Sequence, residues 1–230
     1  MTTLTEAARA VEAFAGDSLR QRIAEVEDAL QGTGGEQCGL LAAQHSISAE
    51  LLSSAFVLER TAAQISVILH TVGILVSLPH ILREGETIES LSLGAGNTGR
   101  EFDVKTNERV AEFKFIDWQG GSESIRQNSL FKDFYLLAEA ATTKDRYLYV
   151  IDPTRPMRFL NGHRAIRSVL SHQNRLWTVF QERYGTRFSQ VCEYYMHRKT
   201  DVKVVGLAEL IPELWAEHGS WRVTSLADER

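Results

Sequence analysis

Cysteine is scarce in this chain, and the features of a secreted protein are missing. Cys38 and Cys192 are the only cysteines; they are too few for a disulfide framework, and neither belongs to a CxxC pair. The first residues contain no basic stretch that leads into an apolar run, so a secretory signal peptide is not supported. Reduced thiols in a cytoplasmic protein are therefore expected.

An uninterrupted apolar run of membrane-spanning length is also missing. Polar residues, glycine and proline interrupt the most apolar window, residues 65–82, at His70, Gly73, Ser77, Pro79 and His80. This pattern predicts a buried helix and no membrane partner. The seven histidines show no HxH or HExxH spacing, so a zinc site is unsupported.

The length and hydrophobic content of the chain suit one domain, or one domain with an appendage. The chain has 230 residues, of which 43% are hydrophobic, enough to bury a sizeable core. Residues 4–30 place apolar side chains at helical spacing, and a glycine-rich stretch follows at 32–35. We predict an N-terminal helical appendage and linker over 1–35, and an α/β domain over 36–230 that has its core at about 50–152 and a C-terminal extension at 153–230.

Charge is distributed unevenly along an acidic chain. Residues 1–99 hold 5 Lys/Arg against 12 Asp/Glu, a balance of −7, whereas residues 100–199 hold 17 against 12, a balance of +5. The basic middle third would attract a phosphate-rich partner electrostatically. An ordinary mixed surface would give the same count.

The apolar periodicity changes along the chain in an α-β-β-β-α-β order. It predicts a helix over 48–82 in two pieces, a strand over 88–93, a hairpin over 101–115, a helix over 124–141 and a strand over 147–151. Further elements are predicted as a helix over 165–184, strands over 191–196 and 202–205, and a short helix over 207–215. The fold class that follows is α/β, with a mixed central β-sheet flanked by helices.

The hairpin carries charge on one face and aromatic bulk on the other. If Asn107 and Glu108 form the loop, Asp103 lies opposite Glu112, and Glu101 lies opposite Lys114. Alternation along the strands sends the apolar residues to the other face, where a core would take them: Phe102, Val104, Ala111, Phe113 and Phe115. The pattern predicts a half-buried sheet with a charged outer patch.

Two opposed carboxylates in that patch favour a cation. Opposed residues of a hairpin have Cβ atoms about 4.5 to 5.5 Å apart, so Asp103 and Glu112 would repel unless a metal or a proton lay between them. Mg²⁺ or Mn²⁺ suits such a site, since Mg²⁺ typically binds one or two carboxylates, several waters and a substrate phosphate. A solvated hairpin face with ordinary salt bridges is the alternative.

The order and spacing of Asp103, Glu112 and Lys114 resemble the PD-(D/E)XK nuclease superfamily, whose fold is restriction-endonuclease-like. The similarity covers roughly residues 50–152, and Phe102 replaces the proline that names the motif. The resemblance implies a metal-dependent nuclease that hydrolyses phosphodiester bonds, with DNA as the expected substrate. It implies that Asp103 and Glu112 hold Mg²⁺ and that Lys114 orients the attacking water or steadies the phosphate.

Further residues follow from the same resemblance. Some members add an acid from the helix before the first strand, which points to Glu59, or else to Glu50 or Glu89. Some place a glutamine on the helix after the lysine strand, and Gln127 occupies the sheet-facing stripe of that helix. A surface role for Glu59 and a capping or buried-amide role for Gln127 remain open.

Several residues could contact a nucleic-acid backbone. Arg126 and Lys132 lie near the start of the helix after the hairpin, and Asn97 lies in the turn over 94–99, where glycines would let a phosphate approach. An exposed basic helix surface explains the same charges. A catalytically inactive nuclease-like module that binds nucleic acid or protein is the alternative function, and the N-terminal helices could pair two chains into a homodimer.

Overall fold

A computed structural model describes residues 2–31, 33–94, 100–116, 118, 123–171 and 173–212. Ten helices and five strands are assigned within these residues. In chain order they are α1 (Leu4–Ala15), α2 (Leu19–Leu30), α3 (Gly35–Gln44), α4 (Ala49–Ile81), β1 (Ile88–Leu91), β2 (Val104–Thr106), β3 (Arg109–Lys114), α5 (Glu123–Ala138), β4 (Asp145–Val150), α6 (Thr154–Leu160), α7 (Ile166–Leu170), α8 (Asn174–Tyr184), α9 (Val191–Arg198), β5 (Lys203–Gly206) and α10 (Leu207–Leu210).

The chain divides into two compact units, Met1–Val67 and Ile68–Arg230. The division falls within α4, beyond the glycine-rich stretch on which the predicted linker was centred. The first unit holds α1 to α3 and the first part of α4. Its opening helix begins with a capping box, in which the Thr3 hydroxyl accepts from the Glu6 N–H and the Glu6 carboxylate accepts from the Thr3 N–H.

The second unit is built on a five-stranded mixed sheet with the order β1-β2-β3-β4-β5. The first three strands form an antiparallel meander, and β3, β4 and β5 run parallel. Helix α5 connects β3 to its parallel neighbour β4, as a parallel crossover requires. The α/β class and the mixed sheet flanked by helices are confirmed.

Helices cover both faces of this sheet. On one face α4 and α10 pack over residues such as Ala111, Phe113 and Tyr149. On the other face α5 to α9 pack over Val110, Leu148 and Val150. The prediction of a half-buried sheet is therefore wrong, because the face that carries Glu112 and Lys114 lies under α5 and is not an open surface.

Three further expectations are corrected. Residues 191–196 are part of helix α9 and not a strand, since buried Val191, Tyr194 and Tyr195 recur at helical spacing behind a capping box. The helix predicted over 165–184 is two helices, α7 and α8. Helix α4 is a single helix. Pro79 lies two residues before its end, so the N–H that proline lacks removes one hydrogen bond from the last turn and does not divide the helix.

The apolar part of α4 is helical, as expected, but it is not buried all round. Ile74, Leu78 and Ile81 pack in the core, whereas Ile68 and Leu69 are more than half exposed. Among the described residues, α4 alone is long and apolar enough to cross a membrane by length and composition, and 17% of its most apolar 18-residue window is buried.

Gly73 allows α4 to approach the end of β3. A Cβ at Gly73 would lie 2.5 Å from ring carbons of Phe115, whose ring stacks on Phe113 and meets His70 edge-on. We expect Gly73→Ala to lower the free energy of unfolding by about 1 to 3 kcal/mol through overpacking, although alanine favours helices.

Gly39 provides the matched control, because it lies inside helix α3 and a methyl group added there would have no neighbour within 4 Å. Gly39→Ala should leave stability unchanged or raise it by up to about 1 kcal/mol. Urea unfolding followed by circular dichroism measures both variants. Equal effects of the two substitutions would contradict the close packing at Gly73.

Candidate active site

The hairpin of β2 and β3 brings the predicted acids together. Val104 pairs with Ala111 and Lys105 pairs with Val110, which is the register that the two-residue loop predicts. Extended by one residue, this register sets Asp103 beside Glu112. Strand β2 begins only at Val104, however, so Glu101 lies outside the ladder and is exposed rather than opposite Lys114.

Because β2 begins only at Val104, Phe102 precedes the strand, and this explains the position of its side chain. Residues 101–103 form a bend, and strict alternation of side chains does not continue through a bend. Phe102 consequently packs with the α5 core, on the opposite side of the sheet from Val104 and Phe113. The prediction that these three side chains share one face is wrong for Phe102.

Both carboxylate oxygens of Asp103 are held in place. The Phe113 N–H donates to Oδ2 at 2.9 Å, replacing the ladder bond that a longer β2 would have made. His70 Nε2 lies 3.2 Å from Oδ1. Asp103 is thus oriented by β3 on one side and by α4 on the other.

Glu112 lies at the centre of the acidic cluster. Burial, the charge of Asp133 and the charge of Asp103 raise the pKa of Glu112 to about 9, and a hydrogen bond with Asp103 contributes in the same direction. At neutral pH and without a cation, Glu112 therefore keeps its proton. The proton reduces the repulsion between two neighbouring carboxylates.

Lys114 is engaged by a buried acid from the covering helix. Its ammonium group forms an ion pair with Asp133 Oδ2, and the side chains are 21% and 7% exposed. Burial alone would lower the pKa of Lys114, but the charge of Asp133 and its hydrogen bond outweigh burial and raise it. Lys114 is therefore a fixed cation beside Glu112, tied to α5.

The charges of this cluster do not balance. Asp103, Glu112 and Asp133 supply three carboxyl groups, and Lys114 supplies one ammonium group. A divalent cation between Asp103 and Glu112 could take the place of the proton that the raised pKa of Glu112 favours.

The donor set fits a hard cation that needs few protein ligands. Among the residues that the structure describes, no three His, Cys, Asp or Glu side chains are grouped to hold a metal ion by themselves. Asp103 and Glu112 would offer carboxylate oxygens, which suits Mg²⁺ or Mn²⁺ with water and a substrate phosphate completing the shell. It does not suit a closed zinc site.

A buried ion pair at the loop of the hairpin supports this geometry. Glu86 accepts from the Arg109 guanidinium and, at 2.6 Å, from the Thr106 hydroxyl, and the side chains of Glu86 and Arg109 are 0% and 3% exposed. The Thr106 hydroxyl oxygen in turn accepts from the N–H groups of Glu108 and Arg109. The network fixes the loop, and the loop fixes which residues oppose one another.

The acids proposed to join from outside the hairpin lie on α4 and β1. Glu59 is exposed on α4 within the first unit, as is Glu50. Glu89 lies on β1, where its carboxylate accepts from Lys144 at 2.6 Å and pairs with Lys105 at 3.7 Å. The α4 side chain that contacts Asp103 is His70.

The other predicted residues lie on or near α5. The Gln127 amide donates to Glu123 at 3.0 Å and accepts from Arg164 at 2.6 Å, so these hydrogen bonds do not join it to the hairpin acids. Arg126 and Lys132 are both partly exposed on α5. Asn97 lies outside the described residues.

Sequence reasoning missed His70 and Asp133. His70 shares the sheet-facing stripe of α4 with Ile74 and Ile81, so a polar residue on an apolar stripe was the available signal. Asp133 is buried between apolar neighbours of α5, a position where an acid needs a partner.

No protein-family model, no curated protein and no solved structure matches this chain.

Proposed function

We propose that the second unit has a restriction-endonuclease-like core and that the protein is a metal-dependent nuclease that hydrolyses phosphodiester bonds, with DNA as its substrate and Mg²⁺ or Mn²⁺ as its cofactor. The observation that carries the proposal is the position of Asp103 beside the half-buried Glu112, on the strand that also carries Lys114. A cytoplasmic location is part of the same proposal.

Each side chain has a role that its contacts support. Asp103 and Glu112 would hold the metal, while His70 and the Phe113 N–H keep the Asp103 carboxylate oriented. When bound there, Mg²⁺ would activate water and would neutralise charge on the phosphoryl oxygens.

Lys114 would add a positive charge next to the reacting phosphate, and Asp133 is a positioning residue that holds its ammonium group. Because Asp133 is buried on α5 and takes up part of that charge, the ion pair limits how far Lys114 can reach. Partly exposed Arg126 and Lys132 on the same helix would contact the nucleic-acid backbone.

The same ion pair supports a second candidate function. If the bond to Asp133 keeps Lys114 from the substrate, the domain binds nucleic acid or protein without cleaving it. Both candidates use the same fold, and they differ in whether any phosphodiester bond is broken.

A cleavage assay separates them. The full chain is incubated with supercoiled plasmid, single-stranded DNA and RNA, each with Mg²⁺, with Mn²⁺ and with a chelator. We expect metal-dependent cleavage of DNA, and a loss of at least about 100-fold in rate for Asp103→Ala and Lys114→Ala.

Lys105→Ala is the matched control, because Lys105 is an exposed lysine of β2 that pairs with Glu89 at the surface. It should cleave like the parent. The enzyme proposal fails if no substrate is cut, or if Asp103→Ala and Lys114→Ala cut as fast as Lys105→Ala.

A further inference from the structure

Helix α4 has a second apolar stripe that faces away from the sheet. Five of its side chains within the second unit are between 37% and 57% exposed: Ile68, Leu69, Val72, Leu75 and Val76. At about 100° per residue they share one side of the helix. The sheet-facing residues Ile74, Ser77, Leu78 and Ile81 occupy the opposite side and are at most 7% exposed.

The spacing of this stripe is typical of a helix that pairs with another helix. Ile68, Val72 and Leu75 are separated by four and three residues, which is the d/a/d spacing of a two-helix seam. Val72, at the a position, is β-branched, and Leu69 and Val76 flank the seam. A single sheet-covering helix needs only one apolar stripe.

Charge does not oppose contact between two copies of this stripe. Residues 61–78 contain no Asp, Glu, Lys or Arg, so two α4 helices could meet without burying an ionised side chain. A two-fold interface uses the same patch on both subunits, and a uniformly apolar stripe is complementary to itself.

The outward stripe of α4 suits a protein partner better than a lipid bilayer. Thr71 donates its hydroxyl to the Leu93 carbonyl at 2.6 Å, His70 contacts Asp103, and Ile74 is fully buried. These contacts hold one side of α4 on the sheet, whereas a membrane-spanning helix would have to leave it.

The size of the stripe is sufficient for a specific dimer. The five half-exposed aliphatic side chains on each copy would bury on the order of 1,000 Å² in total, which is the lower limit for a specific protein interface.

We propose that the protein is a homodimer in which the outward stripe of α4 packs against the same stripe of a second copy. The dimer does not depend on the proposed chemistry, and it would form equally in a protein without nuclease activity. It places the seam on α4, not on the N-terminal helices that the sequence pattern favoured for a homodimer.

The mass of the full chain in solution is the first test. We expect light scattering to give twice the chain mass at micromolar concentration, and Val72→Glu to give the mass of one chain. Met196→Glu is the control, since Met196 is 54% exposed on α9 and lies outside the stripe; it should remain dimeric. Circular dichroism checks that each variant is folded.

Cross-linking keeps the proposal testable even if Val72→Glu fails to fold. Val72 is central in the seam, so it would meet its own copy whether the helices run parallel or antiparallel. In a chain with Cys38→Ser and Cys192→Ser, Val72→Cys should form a disulfide-linked dimer on mild oxidation, and Met196→Cys should not. A monomeric parent, equal cross-linking at both positions, or recovery of the parent on lipid vesicles would overturn the proposal.

Discussion

Replacement of Glu112 by glutamine is expected to stabilise the metal-free protein and to abolish cleavage. Glutamine keeps the shape of protonated Glu112 but cannot ionise, so the variant does not have to take up a proton when it folds at pH 8. The same change removes a metal ligand. We expect the free energy of unfolding to rise by about 1 to 3 kcal/mol at pH 8, and the cleavage rate to fall at least about 100-fold.

The sign of this effect follows from the direction of the pKa shift. The pKa of Glu112 is raised in the folded state, to about 9, above its ordinary value of 4.5. The folded protein therefore holds a proton that the unfolded chain releases, and stability that is present below pH 4.5 is lost as pH rises towards 9. Glu112→Gln should remove that decline.

Urea unfolding between pH 5 and 9, with and without Mn²⁺, measures the effect. Glu101→Gln is the control, since Glu101 is an exposed acid just outside the site and should keep the parent's pH dependence. In the parent, Mn²⁺ should restore stability at high pH, whereas Glu112→Gln should gain little from the metal. A variant less stable than the parent at pH 8 would contradict the raised pKa of Glu112.

Removal of Arg109 is expected to have the largest effect on folding. Arg109→Leu leaves the Glu86 carboxylate buried without its guanidinium partner and should lower the free energy of unfolding by about 3 to 5 kcal/mol. Burial by itself raises the pKa of Glu86, but the hydrogen bonds from Arg109 and Thr106 outweigh burial and lower it. The stability from this ionised pair is present above pH 4.5 and is lost as pH falls below it.

Arg83→Leu is the matched control for this measurement. Arg83 also carries two acidic partners, Glu108 and Asp145, but its side chain is 51% exposed and the pairs are screened by solvent. Urea unfolding at pH 7 should show little change for Arg83→Leu. Similar losses for the two variants would mean that the Glu86–Arg109 pair does not hold the hairpin loop.

The pairing within the hairpin could be predicted from local sequence rules, whereas the other residues of the site depend on tertiary contacts. The two-residue loop sets the register of Val104 against Ala111, so the neighbourhood of Asp103 and Glu112 could be predicted from sequence. The partners from other elements depend on how α4 and α5 are rotated against the sheet, which no local pattern determines. The observed contacts from these helices are His70 with Asp103 and Asp133 with Lys114, and the sequence pattern singled out neither His70 nor Asp133.

The dependence on tertiary packing also explains why some of the predicted elements were wrong. Apolar residues 65–82 predicted a buried helix, but a sequence with two apolar stripes does not say which one meets the sheet. The segment 191–196 mixes aromatic and β-branched residues that favour strands, and its packing on α6 and α5 selects a helix instead. The pairing of β2 with β3, by contrast, could be predicted, because a two-residue loop joins these strands.

Metal binding tests the central claim most directly, because it does not require the correct substrate. Titration of the full chain with Mn²⁺, followed by the loss of the free-ion electron paramagnetic resonance signal, should give one bound ion per chain. Asp103→Ala and Glu112→Gln should each weaken binding at least about 10-fold, and Lys105→Ala should bind like the parent. Failure of the parent to bind Mn²⁺, or binding that Asp103→Ala leaves unchanged, would contradict a metal site between Asp103 and Glu112.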